Sequence, residues 1–244
     1  MAKIFSILIF GLVLLFPSQT YAAKKIPILI YHSIAEYQGS GQKELYVTPE
    51  NFQKQMEYLK ENGFTPLTFE QWGEVDRIPK PIFITVDDGY KNNLNILTTF
   101  NRLRDTSFKP AATLFVISDF IGNPNRLSQA DLRTLSASRM FSIQSHTATH
   151  PDLTKTSNLQ HELEGSKLKI EQITGKPVIA LSYPYGNTNR KVLEETKKYY
   201  QFGLSTTPQV FIQENKLNEN FTLPRLYVKY STTLADFAKI VLGQ

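Results

Sequence analysis

"PIFITVDDGYKNN", residues 81–93, contains a run of apolar and β-branched residues, Ile82 to Val86, that reads as a short buried strand. The run stops at two adjacent carboxylates and a glycine, Asp87, Asp88 and Gly89. A tight turn would account for them, because Asp-Gly is a strong turn signal and Asp tolerates turn conformations. They also suit a site in which one carboxylate holds a metal and its neighbour moves protons. That second reading needs histidines elsewhere in the chain.

Working outward, short apolar runs alternate with helical patterns, the signature of an α/β fold with a parallel sheet. The expected strands are Ile26 to His32, "PIFITV", Ala111 to Ile117, Met140 to Gln144, Val178 to Pro184, "FGLST" and "RLYVKY". Between them lie helical stretches. One starts at Thr48 as N-cap with Pro49 in the first turn, and one runs through "NILTTFNRLRD". Others run from the cap Asn158 to Gly175, from Asn189 to Tyr200 and from Leu234 to Leu242. In parallel α/β architectures the chemistry sits at the carboxyl ends of the strands. His32, the Asp87-Asp88 pair, His146 and Tyr183-Pro184-Tyr185-Gly186 all fall there.

"QSHTATHPDL" supplies the histidines. His146 and His150 are spaced so that a single helical turn would project both imidazoles to one side. Pro151 disfavours the α region for His150, so such a turn should end there. Two histidines with one carboxylate form a common catalytic set for a divalent metal.

Composition narrows the classes. Ile4 to Phe16 is apolar apart from one Ser and one Gly, follows Lys3, and precedes Thr20-Tyr21-Ala22, a small-residue cleavage pattern. Residues 1–22 therefore read as a signal peptide, too short to span a bilayer comfortably, with 23–244 as one mature domain and no membrane span in it. The chain has no cysteine, which excludes thiolate ligands, a Cys nucleophile and a disulfide framework. Its 27 basic and 22 acidic residues give a net charge of +5, without a Lys/Arg cluster. Nucleic acid is not an expected partner, and nothing points to an obligate protein partner.

"TVDDG" followed by "SHTATH" resembles the first two motifs of the polysaccharide deacetylase family, carbohydrate esterase family 4. "ILIYHSI", "VTPENFQKQMEYLKENGFTPLTFEQW" and "SYPYGN" follow the order and rough spacing of the subgroup acting on exported N-acetylglucosamine polymers. The resemblance spans Ile26 to about Val228 and implies a distorted (β/α)7 barrel, with 23–244 as a deacetylase catalytic domain. It implies Asp88, His146 and His150 as ligands of one divalent metal, zinc first, with nickel, iron or cobalt also compatible. Asp87 would then be the general base, and Tyr185, beside Pro184, would offer its backbone N–H to the oxyanion. The substrate would be an N-acetylated polysaccharide in the periplasm, at the cell surface or outside the cell.

The pattern departs from the family in two places. The third motif often begins with an arginine that orients the base, and Ser182 stands there instead. Arg225 in "LPRLYV" either reaches toward Asp87 in its stead or stands exposed on the rim. The usual general-acid histidine near the C-terminal end has no counterpart. Of the four histidines, His161 lies in a polar helical stretch and reads as a surface residue, while His32 either donates a proton or only shapes the pocket. The missing acid keeps open a carbohydrate-binding protein of the same fold with little turnover. An enzyme acting on another amide also remains open.

Overall fold

The run beginning at Pro81 forms a strand buried at all six positions, and seven others assemble around it. The computed structural model describes residues 24–214 and 216–244, so the expected signal peptide lies outside the described residues. The strands are β1 (Ile28–Tyr31), β2 (Thr65–Leu67), β3 (Pro81–Val86), β4 (Ala112–Val116), β5 (Phe141–Ser145), β6 (Ala180–Ser182), β7 (Phe202–Leu204) and β8 (Leu226–Tyr227). Every pairing among them is parallel, in the order β7-β6-β5-β4-β3-β1-β8. β2 pairs only with the first half of β3, from Pro81 to Phe83, while β4 pairs with Thr85 and Val86. This handover is the distortion.

The open edges meet through one segment. Leu223 N–H donates to Gly203 O at 2.9 Å, Ser205 N–H to Leu223 O at 2.8 Å, and Arg225 N–H to Thr207 O at 3.0 Å. Leu226 and Tyr227 then pair with Leu29 and Ile30 on β1. Residues 223–227 thus bridge β7 to β1, and the fold is the α/β barrel that the resemblance implies.

Helices α1 (Pro49–Glu61), α2 (Leu94–Leu103), α3 (Gln129–Ala137), α4 (Ser166–Thr174), α5 (Arg190–Thr196) and α6 (Leu234–Leu242) accompany the sheet. Thr48 caps α1 through a 3.1 Å bond from Asn51 N–H, and Phe52, Met56 and Leu59 form its buried face. The sequence reading passes over α3, although its capping box, Ser128 with Asp131, was visible as S-x-x-D. It also takes Asn158 to Gly175 as one helix, where the structure inserts a π-helical turn at His161–Gly165 before α4.

Strand periodicity sorts the core into two layers. Leu29, Ile82, Ile84, Val86, Leu114 and Val116 pack with the buried faces of α1 and α2. Ile28, Phe83, Phe115 and Ala180 face the other way, into a cluster with Phe69, Trp72 and Phe202. The Phe69 and Phe83 rings lie 5.0 Å apart, and Trp72 lies 5.1 Å from Phe202. This aromatic plug fills the barrel interior. Continuing each inward series by twos gives the placement that matters: Ile28, Ile30, His32; Phe83, Thr85, Asp87; Ser142, Gln144, His146; Ala180, Ser182, Pro184.

Candidate metal centre and buried ion pair

Asp87 is the next inward residue after Thr85, and it is 2% exposed. Its charge is met from the far side of the barrel. Arg225, fully buried, donates from Nη1 to Asp87 Oδ1 and from Nη2 to Asp87 Oδ2, both at 2.8 Å. The remaining guanidinium hydrogens go to Thr85 Oγ1 (3.1 Å), Ser182 Oγ (2.8 Å) and Ser205 O (2.9 Å). All five donors are therefore used, which a buried guanidinium requires. Ser182 in turn donates its hydroxyl to Asp87 Oδ2 at 2.9 Å. Burial alone would raise the Asp87 pKa, but Arg225, His146 and the hydrogen bonds outweigh it and hold the carboxyl well below its ordinary range.

Asp88, His146 and His150 converge beside this pair. Their nearest ligand atoms all lie within 4.8 Å of one another, the only such group found among the described residues. Asp88 Oδ1 is 3.5 Å from His146 Nε2 and 3.7 Å from His150 Nε2. His146 Nδ1–H donates to Ser182 O at 2.8 Å, since a carbonyl can only accept, and this leaves the Nε2 lone pair facing Asp88. Burial, followed by the neighbouring His146, lowers the His150 pKa against the pull of Asp88 and Asp87, which favours the neutral ring a ligand needs. The donor set fits a divalent ion such as zinc.

The two histidines do not meet through a helical turn. Thr147 and His150 have φ of 67° and 64°, so the loop is left-handed at both. Pro151 does exclude the right-handed α region at His150, but the chain answers with the left-handed one. Asp88 (φ 73°) and Tyr185 (φ 60°) adopt the same strained conformation, so four of the seven non-glycine residues with positive φ among the described residues surround the site. Arg126 Nη1 donates to Asp88 O at 2.7 Å and supports the first of these peptides.

The remaining expected residues lie around this centre. Pro184 is buried, and Tyr185 is 64% exposed with its ring 4.9 Å from His150. Gly186 permits the approach of the facing loop, because a Cβ there would meet Thr206 Oγ1 at 2.2 Å. His32 stacks on Tyr227 with centroids 6.2 Å apart, and burial lowers its pKa, with Asp87 and Asp88 acting in the opposite direction. His161 lies on the surface, 3.2 Å from Asp119. A cavity of about 910 Å³ opens near Thr65, Ala111 and Met140, at the amino-terminal ends of the strands. It shares no residue with the centre, which lies at the opposite, carboxyl ends of the strands.

Comparison with known proteins finds relatives over most of the chain. The family profile described as polysaccharide deacetylase matches residues 74–201, just over half of the chain. "Putative polysaccharide deacetylase YxkH" of Bacillus subtilis (strain 168) is 31% identical over 198 residues, covering 78% of this chain and 67% of that protein. The crystal structure of BA0330 from Bacillus anthracis superposes with a TM-score of 0.89 at 46% identity. That of BC0361, a polysaccharide deacetylase from Bacillus cereus, gives 0.88 at 47% identity. Each covers 90% of this chain and 69% of the other.

Proposed function

The chain belongs to the polysaccharide deacetylase family, and from that premise we propose that it removes N-acetyl groups from an N-acetylglucosamine-containing polysaccharide, using one divalent metal held by Asp88, His146 and His150. The observation that carries the reading is the convergence of these three side chains, with His146 locked in the tautomer that frees Nε2. Zinc is the first candidate for the ion, and bound there it would polarise the acetamide carbonyl and acidify water. We further propose that residues 1–22 are an export signal and 23–244 the catalytic domain, on the strength of the apolar run Ile4 to Phe16 and the Thr20-Tyr21-Ala22 pattern.

Asp87 takes the proton of the attacking water as the C–O bond forms. The clamp of Arg225 and Ser182 aims its carboxylate and keeps it ionised until that moment. The same clamp makes protonated Asp87 a strong acid, ready to pass the proton to the leaving nitrogen as the C–N bond breaks. One carboxylate can thus serve both steps in a chain that lacks the usual acid histidine. The backbone N–H of Tyr185, beside Pro184, is assigned to the oxyanion of the tetrahedral intermediate.

The test is acetate release from N-acetylglucosamine oligomers with zinc and with a chelator. Release is expected with zinc only, and Asp87→Asn should keep zinc while losing about 10²–10⁴-fold in kcat. Oligomer binding without acetate release under either condition would instead mark a carbohydrate-binding protein.

His32 is assigned to the pocket wall, where it stacks on Tyr227 and burial lowers its pKa, which disfavours the imidazolium an acid would need. His32→Ala is expected to raise KM with little change in kcat, and to leave the alkaline limb of the pH profile in place. A lost alkaline limb would return His32 to the role of general acid.

A further inference from the structure

We infer that Glu162, on the π-turn preceding α4, is a positioning residue that holds the loop between His146 and His150 in its ligand-presenting shape. The inference rests on the metal reading given above. The loop contains two left-handed residues, one of them the β-branched Thr147, so its own conformational preferences oppose the shape it adopts. Something outside the loop must hold it there.

The loop's backbone groups show what does. Ala148 N–H and Thr149 N–H both donate to Glu162 Oε2, at 2.9 and 2.8 Å, and Thr149 Oγ1 donates to Oε1 at 2.6 Å. The carbonyls are met from the opposite side, where Ser118 N–H donates to Thr147 O and Asp119 N–H to Ala148 O, each at 3.0 Å. Glu162 is 4% exposed and has no cationic partner among the described residues. A buried carboxylate in that setting is sustained by charge-assisted bonds from N–H and O–H donors, and here the loop supplies three.

The π-turn at His161–Gly165 belongs to the same device. Such turns are rare and recur at functional sites, because the widened turn leaves a carbonyl without its usual partner and re-aims the side chains. Here Leu163 O accepts from Ser166 N–H and from the buried Tyr200 hydroxyl, the latter at 2.6 Å. Leu163 and Ile170 reach the core, while Glu162 and Ser166 turn toward the loop. Ser166 Oγ lies 2.8 Å from Ser145 Oγ, which accepts from Thr147 N–H at 3.1 Å. Glu162 therefore grips the loop at Ala148 and Thr149, and Ser166 at the start of α4 supports Thr147 through Ser145. Glu162 touches neither imidazole, and it acts through the backbone that carries them.

The experiment is zinc titration of chelator-stripped protein by isothermal calorimetry, with the visible spectrum of the cobalt-substituted protein recorded alongside. Glu162→Ala should weaken zinc binding by about 10- to 100-fold, the range expected for a residue behind a metal ligand, and should alter the cobalt bands. Glu162→Gln retains an oxygen for the two N–H groups and should recover most of the affinity. A folded Glu162→Ala variant with wild-type affinity and cobalt spectrum would overturn the inference and leave the functional reading standing. A wild-type protein that takes up no zinc would overturn both. If Glu162→Ala does not fold, Glu162→Asp decides, since it keeps the charge but withdraws it by one methylene. Weaker binding in the Asp variant than in the Gln variant supports the clamp, and equal affinity in Asp, Gln and wild type overturns it.

Discussion

Replacing Arg225 with methionine is expected to destabilise the protein by about 3–5 kcal/mol, because Asp87 is left as an uncompensated charge at 2% exposure. Urea denaturation of chelator-treated protein measures the effect. The double variant Asp87→Asn/Arg225→Met should recover a large part of the loss, since it removes the stranded charge together with its partner. Simple addition of the two single-variant costs would show that packing, not charge, sets the penalty. The pH dependence carries a sign. In the wild type the Asp87 pKa is depressed, so its contribution is present above the ordinary value near 3.9 and fades as pH falls below it. In Arg225→Met, burial acts without the opposing guanidinium and raises that pKa, so the stability gap to wild type should narrow as pH drops from 7 toward 4.5. A gap that stays constant across this range would contradict the charge argument. Activity should fall as well, because the carboxylate loses the fork that aims it.

His146→Ala is expected to abolish stoichiometric zinc binding and to lower kcat/KM by about 10³-fold or more, the equivalent of several kcal/mol of carbonyl polarisation. Metal analysis after dialysis and acetate release measured on one preparation check both halves. Ser182 O also loses its 2.8 Å donor, so a stability loss of about 1–3 kcal/mol should accompany the variant. Retained zinc with lost activity would move His146 from ligand to catalytic group, and the proposed division of labour with Asp87 would have to be redrawn.

Much of this site was legible in the strands. Counting by twos from Phe83 reaches Asp87, and from Ser142 reaches His146, so alternation alone aims both into the barrel. The parallel α/β pattern likewise named the rim where they meet. The loop geometry was not legible, because i, i+4 spacing suggests a helical turn and only backbone coordinates show that Thr147 and His150 are left-handed. Arg225 could not be settled from sequence either. An arginine beside a short strand reads equally well as exposed, and its burial depends on acceptors contributed by Thr85, Ser182 and Ser205 from distant parts of the chain. Glu162 escaped notice for a similar reason, since "LQHELEG" has the polar look of a surface helix. Nothing local reveals that one of its carboxylates is buried.

The segment 223–227 ties the end of the ring to the chemistry of its centre. Asp87, Asp88, His146 and His150 all precede Arg225 in the sequence. Without residues 223–227, β1 and β7 keep unpaired edges, and Asp87 lacks the guanidinium that makes its burial tolerable. The segment that closes the ring is therefore the one that pairs Asp87. A chain interrupted short of this segment would carry every proposed metal ligand and still lack both the strand that closes the ring and the guanidinium that grips Asp87.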